Sequence, residues 1–135
     1  MTQPLLYTAN VSNATSIVSG SMLPLGSTIR QVGNCIDLSG ESILLHGKGY
    51  YLCIANFVLS PSVSDTVTVQ AFVDGVSVPG AKAEMLSDSK KTYSVAFVTK
   101  NPCPCNGSTI DFRVSTAIST TTVTQSVASV VVKKL

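Results

Sequence analysis

The stretch Thr66-Val67-Thr68-Val69-Gln70-Ala71-Phe72-Val73-Asp74-Gly75-Val76-Ser77-Val78-Pro79-Gly80 decides the fold class of this chain. Val67, Val69, Ala71 and Val73 alternate with Thr66, Thr68, Gln70 and Phe72, a period of two that sends one set to each side of a β-strand. Asp74-Gly75 then breaks the alternation with two residues that tolerate positive φ, which predicts a tight two-residue hairpin. Val76 and Val78 resume the pattern, and Pro79-Gly80 is expected to end the returning strand.

The same signature recurs on both sides of this hairpin. Strands are expected over 5–10, around Ile17-Val18, over 29–38 with a bend at Gly33-Asn34, and over 42–45. A turn at His46-Gly47-Lys48-Gly49 leads into 50–59, the most apolar segment, which reads as a strand buried on both faces. Tyr93, Val95 and Phe97 alternate with Ser94, Ala96 and Val98 in a strand over 92–99, and the loop 100–107 follows. Strands over 108–115 and 126–134 close the chain, with 116–125 read as a polar, Thr-rich connection. Helical periodicity is almost absent, so the chain is an all-β antiparallel sandwich or barrel.

Composition agrees. The 135 residues are enough for one domain and too few for two, so 1–135 is read as a single unit. Val, Thr and Ile number 18, 14 and 7, the branched side chains that suit a pleated surface. Charged residues are 12% of the chain, against about 25% in ordinary soluble domains, which argues against a highly charged disordered tail or a coiled coil. The net charge is +2, and the only basic clusters are the pairs Lys90-Lys91 and Lys133-Lys134. Nucleic-acid binding needs more converging cations than that, so no nucleic-acid partner is expected. The apolar segment 50–59 is short of the about twenty residues of a spanning helix, so no membrane partner is expected. No basic-then-apolar export signal is visible at Met1 to Tyr7, and the glycosylation-type triplets at Asn10, Asn13 and Asn106 are read as chance.

The chemistry-bearing residues are sparse. His46 is the single histidine and is read as an exposed turn residue, without the neighbours a triad or zinc hydrolase needs. Cys35, Cys53, Cys103 and Cys105 are read first as reduced thiols, the alternatives being a bridge from the Cys103-Pro104-Cys105 loop to Cys35 or another subunit, or a metal site. The acids Asp37, Glu41, Asp65, Asp74, Glu84, Asp88 and Asp111 are scattered, with no pair spaced for acid–base work and no calcium or phosphate loop. No enzyme, cofactor or metal is expected.

Three segments carry a resemblance. Ile43-Leu44-Leu45-His46-Gly47-Lys48-Gly49-Tyr50-Tyr51-Leu52-Cys53 resembles the "apolar run, Gly-x-Tyr, alternating apolar" core of the tumour-necrosis-factor (TNF) and complement-type globular jelly roll. Val73-Asp74-Gly75-Val76-Ser77-Val78-Pro79-Gly80-Ala81 is similar to the hairpin of the bacterial and phage branch, which includes the trimeric head of the collagen-like spore glycoprotein of bacilli. Ala128-Ser129-Val130-Val131-Val132-Lys133-Lys134-Leu135 is similar to its last strand. Two departures stand out: no Gly-x-y repeat precedes the domain, and Cys53 stands where the family favours Phe.

The resemblance implies a TNF-like jelly-roll sandwich of about ten short strands assembled as a homotrimer. Tyr50, Tyr51, Ile54, Phe57, Val130 and Val132 are then the trimer and core packing residues, and Asp74 and Gly75 form the turn. First and last strands lie side by side, with Val127 and Val131 facing inward beside Leu6, and both termini at one end. The expected function is a non-enzymatic structural head displayed on a larger particle, foremost a phage virion as capsid decoration or fibre head, assembled in the host cytoplasm. Lys133 and Lys134, with a disordered or docking tail at 1–4, are the expected docking base. The alternative is a ligand- or host-receptor-binding head, for a carbohydrate or surface, working through loops 60–65, 86–91 and 116–125, or a spore-coat protein.

Overall fold

Valine and threonine alternation builds a protein made of strands and turns. The computed structural model describes residues 3–10, 15–102 and 107–135, none of them helical. Eleven strands run in order: β1 (Leu5–Asn10), β2 (Thr15–Val18), β3 (Ser27–Val32), β4 (Ile36–Ser39), β5 (Ser42–Leu45), β6 (Gly49–Pro61), β7 (Asp65–Val73), β8 (Val76–Ser87), β9 (Lys91–Asn101), β10 (Ser108–Thr116) and β11 (Thr122–Lys134). They form two antiparallel sheets. Sheet A has the order β3-β1-β11-β6-β9 with β2 also on β11, and sheet B has the order β4-β5-β10-β7-β8. The expected pairing of the first and last strands is present, with Leu5 opposite Lys133 and Asn10 opposite Ala128.

The core lies between the sheets. Sheet A contributes Leu6, Tyr51, Cys53, Ala55, Phe57, Leu59, Tyr93, Val130 and Val132, and sheet B contributes Ile43, Leu45, Val67, Val69, Ala71, Ile110, Phe112 and Val114. Phe57 and Phe112 meet edge-on across the gap, ring centroids 5.3 Å apart at 60°, the geometry that sets a ring's positive edge against a negative face. Burial pushes the Cys53 thiol well up from its ordinary range, so the residue packs as a small apolar group.

Five expectations are corrected. The 50–59 segment is not covered on both faces within the chain: β6 alternates, and Tyr50 and Ile54 stand 53% and 43% exposed on its outer side. The continuous apolar run hides the period of two because both faces of β6 are apolar. The 29–38 segment is two strands, β3 in sheet A and β4 in sheet B, parted at 33–35. β8 does not end at Pro79-Gly80 but runs to Ser87. There the register jumps from Phe72 opposite Ser77 to Gln70 opposite Lys82, a bulge that Gly80 permits at φ 79°. The Gln70 side-chain amide donates to the Val78 and Ala81 carbonyls at 2.9 and 3.1 Å, satisfying groups that the bulge strips from the ladder.

β11 begins at Thr122 rather than 126, because the Thr-rich segment pairs with both β2 and β6. A second register shift between Gln125 and Val127 then changes the parity of the strand. Ala128, Val130 and Val132 therefore point inward beside Leu6, not Val127 and Val131.

The Asp74-Gly75 hairpin is as expected, with Val73 opposite Val76 and φ of 52° and 79° at the two turn residues. A Cβ at Gly75 would meet no neighbour, so only backbone strain opposes a side chain there. Gly75→Val is expected to cost about 1–2 kcal/mol in thermal unfolding, and Ser77→Ala less than about 0.5 kcal/mol. Tyr51 is fully buried and its hydroxyl donates to the Gly47 carbonyl, so Tyr51→Ala is expected to cost about 3 kcal/mol or more.

Candidate functional site

Alternation in sheet A leaves a second set of side chains on its outer face, and strand pairing arranges them in rows. Val32, Leu5, Lys133, Leu52 and Val98 stand opposite one another across β3, β1, β11, β6 and β9. Arg30, Tyr7, Val131, Ile54 and Ala96 form the next row, and Ser27, Ala9, Ser129, Asn56 and Ser94 the one beyond. Val98 is 52% exposed and Val131 36%. Two adjacent rows of this kind make a contiguous apolar strip, bordered by a polar row in which the Ser94 hydroxyl donates to Asn56 Oδ1 at 2.6 Å. Strips like this mark interaction surfaces.

Charge is partitioned between the sheets. The outer face of sheet A carries Arg30, Lys100 and Lys133, with Lys100 Nζ 5.6 Å from the centre of the Tyr50 ring. All seven acids sit on sheet B strands or on turns, so this face bears cations alone. The strip is apolar and basic.

Of the packing residues named from sequence, Tyr51, Phe57, Val130 and Val132 are fully buried inside the chain, while Tyr50 and Ile54 lie on the outer strip. Lys133 and Lys134 do not share one patch. As consecutive strand residues they take opposite sides, Lys133 within the strip and Lys134 at the inner edge near Gly47 and Gly49. Leu5, Tyr7, Leu52 and Val98 were not assigned to a surface from sequence, and Val131 was assigned inward, since only the pairing register shows which apolar residues become neighbours.

The end that holds the termini is tied by polar side chains. Lys134 donates its backbone N–H to the Pro4 carbonyl at 3.1 Å. Asn101 is buried, donates to the Leu45 and Gly47 carbonyls at 3.2 and 3.1 Å, and accepts from Ser108 at 3.0 Å. His46 is half-exposed, as expected, but it has a partner: Nε2 lies 2.7 Å from Asp37 Oδ2, while Gln31 donates to Asp37 Oδ1 at 2.6 Å. Cys35 is half-buried, and neither it nor Cys53 joins a disulfide among the described residues. Cys103 and Cys105 lie outside the described residues. No three His, Cys, Asp or Glu side chains gather as metal ligands among the described residues.

At the opposite end the three loops named from sequence come together. Ser62 donates its N–H to the Thr122 carbonyl, Ala117 to the Thr66 carbonyl, and Thr66 pairs with Leu86. Asp65 is the anchor: its carboxylate accepts from the Thr66 N–H at 2.7 Å and from the Ile118 N–H at 3.0 Å. Burial works against its charge, but these hydrogen bonds outweigh it and hold the carboxyl below its ordinary range.

The chain matches no family model and no curated protein. Solved structures do match over nearly its whole length. The globular domain of a zebrafish complement 1qA protein is 7% identical at a TM-score of 0.70, covering 99% of this chain and 98% of that one. The Eiger TNF of S. frugiperda is 12% identical at 0.70, covering 98% and 93%. The PRD1 vertex protein P5 is 10% identical at 0.60, covering 98% and 96%. The fold is the TNF- and complement-type jelly roll.

Asp65 generates a pH prediction. Its carboxyl titrates lower in the folded chain than in the unfolded one, so its contribution is present above the unfolded value, about pH 3.9, and is lost as pH falls through the folded value. Acid unfolding is expected to begin with release of residues 117–121. Asp65→Asn should flatten the stability loss below about pH 4 while lowering stability at pH 7, as read by denaturant midpoints.

Proposed function

We propose that this chain is a non-enzymatic structural head that assembles as a homotrimer through the outer face of sheet A and is displayed on a larger particle, foremost a phage virion. The apolar, basic strip of Leu5, Tyr7, Leu52, Ile54, Val98 and Val131 is the observation that carries this reading. An apolar face left in water has a cost that covering it removes, at about 25 cal/mol per Å². Trimeric contact also suits the charge pattern. A two-fold contact that opposed two copies of this face would set Arg30, Lys100 and Lys133 against the same cations, whereas a three-fold contact sets each face against a different surface of the next copy. The likeness to the PRD1 vertex protein supports the particle half of the reading at the level of fold.

Docking is assigned to the end that holds Pro4 and Lys134, through an acidic carrier surface. Lys133, inside the strip, acts on assembly instead.

Light scattering is expected to give a mass near three times 14.1 kDa; a mass of one chain at micromolar concentration would overturn the trimer. Ile54→Asp places a charge at a position exposed in the single chain, so the fold should hold within about 1 kcal/mol while the trimer dissociates. Lys134→Glu should release the trimer, still folded, from its particle, and native docking should weaken as salt rises. Electron microscopy of the source particle with labelled protein tests the location directly.

A further inference from the structure

The outer face of sheet B carries a polar site of a different kind. Arg113 on β10 stands directly opposite Gln70 on β7, and Asp111 opposite Phe72. Side chains so paired lie about 5 Å apart at Cβ. Asp111 is buried and grips the guanidinium at two points, Nε to Oδ1 at 2.9 Å and Nη2 to Oδ2 at 3.4 Å. The guanidinium carbon lies 4.1 Å from the centre of the Phe72 ring. Stacked on one side and gripped along one edge, the fork is held in one orientation, and its Nη1 has no partner among the described residues.

Gln70 is fixed just as firmly. Its Nε2 donates to the carbonyls of Ala71, Val78 and Ala81, so its orientation belongs to the β8 bulge. The amide nitrogen is fully engaged, and Oε1 has no hydrogen bond among the described residues. Beside this pair is a cleft of about 220 Å³ lined by Gly20, Gln70, Phe72, Arg113, Val114 and Ser115. Its rim is set by the segment after β2, where the Gly20 N–H donates to the Val114 carbonyl at 2.7 Å.

We propose that this cleft binds one neutral sugar ring, a hexopyranose of a glycan. The arrangement sets a free acceptor, Gln70 Oε1, next to a free donor, Arg113 Nη1, with the Ser115 hydroxyl able to do either. Adjacent ring hydroxyls each donate and accept, and so match an acceptor and a donor side by side. The Phe72 ring and the aliphatic stem of Arg113 stacked on it supply the apolar surface against which C–H groups of a pyranose pack. The Asp111–Arg113 pair is neutral overall, so the cleft offers no net opposite charge to a carboxylate or to an amine. The volume suits a single ring, since clefts for drug-sized ligands run from about 300 Å³ upward. Sheet B is not the sheet assigned to self-association, and the cleft is built within one chain, so this site stands whether or not the trimer does.

Titration calorimetry with glucose, galactose, mannose and N-acetylglucosamine tests it, with N-acetylneuraminic acid as the charged comparator. At least one neutral sugar is expected to bind with a Kd on the order of 1 mM, as befits so few atoms. Ser115→Phe fills the cleft from an exposed position and should abolish binding without changing the melting temperature. Arg113→Lys keeps the charge but loses the fork, and should weaken binding about tenfold. The Ile54→Asp chain should bind as the wild type does, which separates failure of this site from failure of the trimer. Absence of binding by every neutral sugar, binding of the charged comparator alone, or undiminished binding by Ser115→Phe would overturn the proposal.

Discussion

The pairing of β6 with β11 on one side and β9 on the other is the constraint on which the structure rests. β6 meets β11 from Tyr51 to Pro61 and β9 from Gly49 to Leu59, so a thirteen-residue strand is held along nearly its whole length on both edges. Once that register is set, the pleat decides everything facing either way. Tyr51, Cys53, Ala55, Phe57 and Leu59 go inward, where Phe57 reaches Phe112 of the other sheet. Tyr50, Leu52, Ile54, Asn56 and Val58 go outward, and with them the neighbouring residues of β1, β9 and β11. A slip of one residue would exchange the two sets and expose the aromatic core.

The two outer faces that result have different characters. Sheet A presents an apolar strip with cations and no acid, a surface suited to being covered by protein. Sheet B presents Thr68, Gln70, Lys82, Glu84 and Arg113, with Lys82 and Glu84 3.8 Å apart, a surface suited to water and to small polar ligands. Function in a fold of this kind belongs to such faces and to the loops at either end, since the interior is closed and apolar. Three register shifts shape them, and the one between β1 and β3 sets Arg30 opposite Tyr7. The one in β8 recruits Gln70 as a brace and so fixes the acceptor beside Arg113, and the one in β11 brings Val131 into the outer strip.

Much of this was legible in the amino-acid order because alternation and turn chemistry are local. The valines at 67, 69 and 73 and the Asp74-Gly75 pair announce a hairpin before any partner is known, since a primed turn needs positive φ at two successive positions and few residues allow it. Errors arose where a local signal had a non-local answer. Pro79-Gly80 looks like a stop, and it becomes a bulge because the side chain of Gln70 on the adjacent strand satisfies the flanking Val78 and Ala81 carbonyls. The threonines of 122–125 look like a loop, and they become strand because β2 and β6 lie on either side to pair with them.

The sequence by itself determined the class, the positions of most strands, the hairpin, and the pairing of first and last strands through their likeness to a known sandwich. Tertiary structure alone decided which apolar residues are core and which are strip. β6 is apolar on both faces, so its composition is silent about direction, and only its register against β11 and β9 sends Tyr51 inward and Tyr50 outward. Tertiary structure also made neighbours of Arg113 and Gln70, forty-three positions apart in the chain, because hydrogen bonding between antiparallel strands fixes proximity without regard to sequence distance.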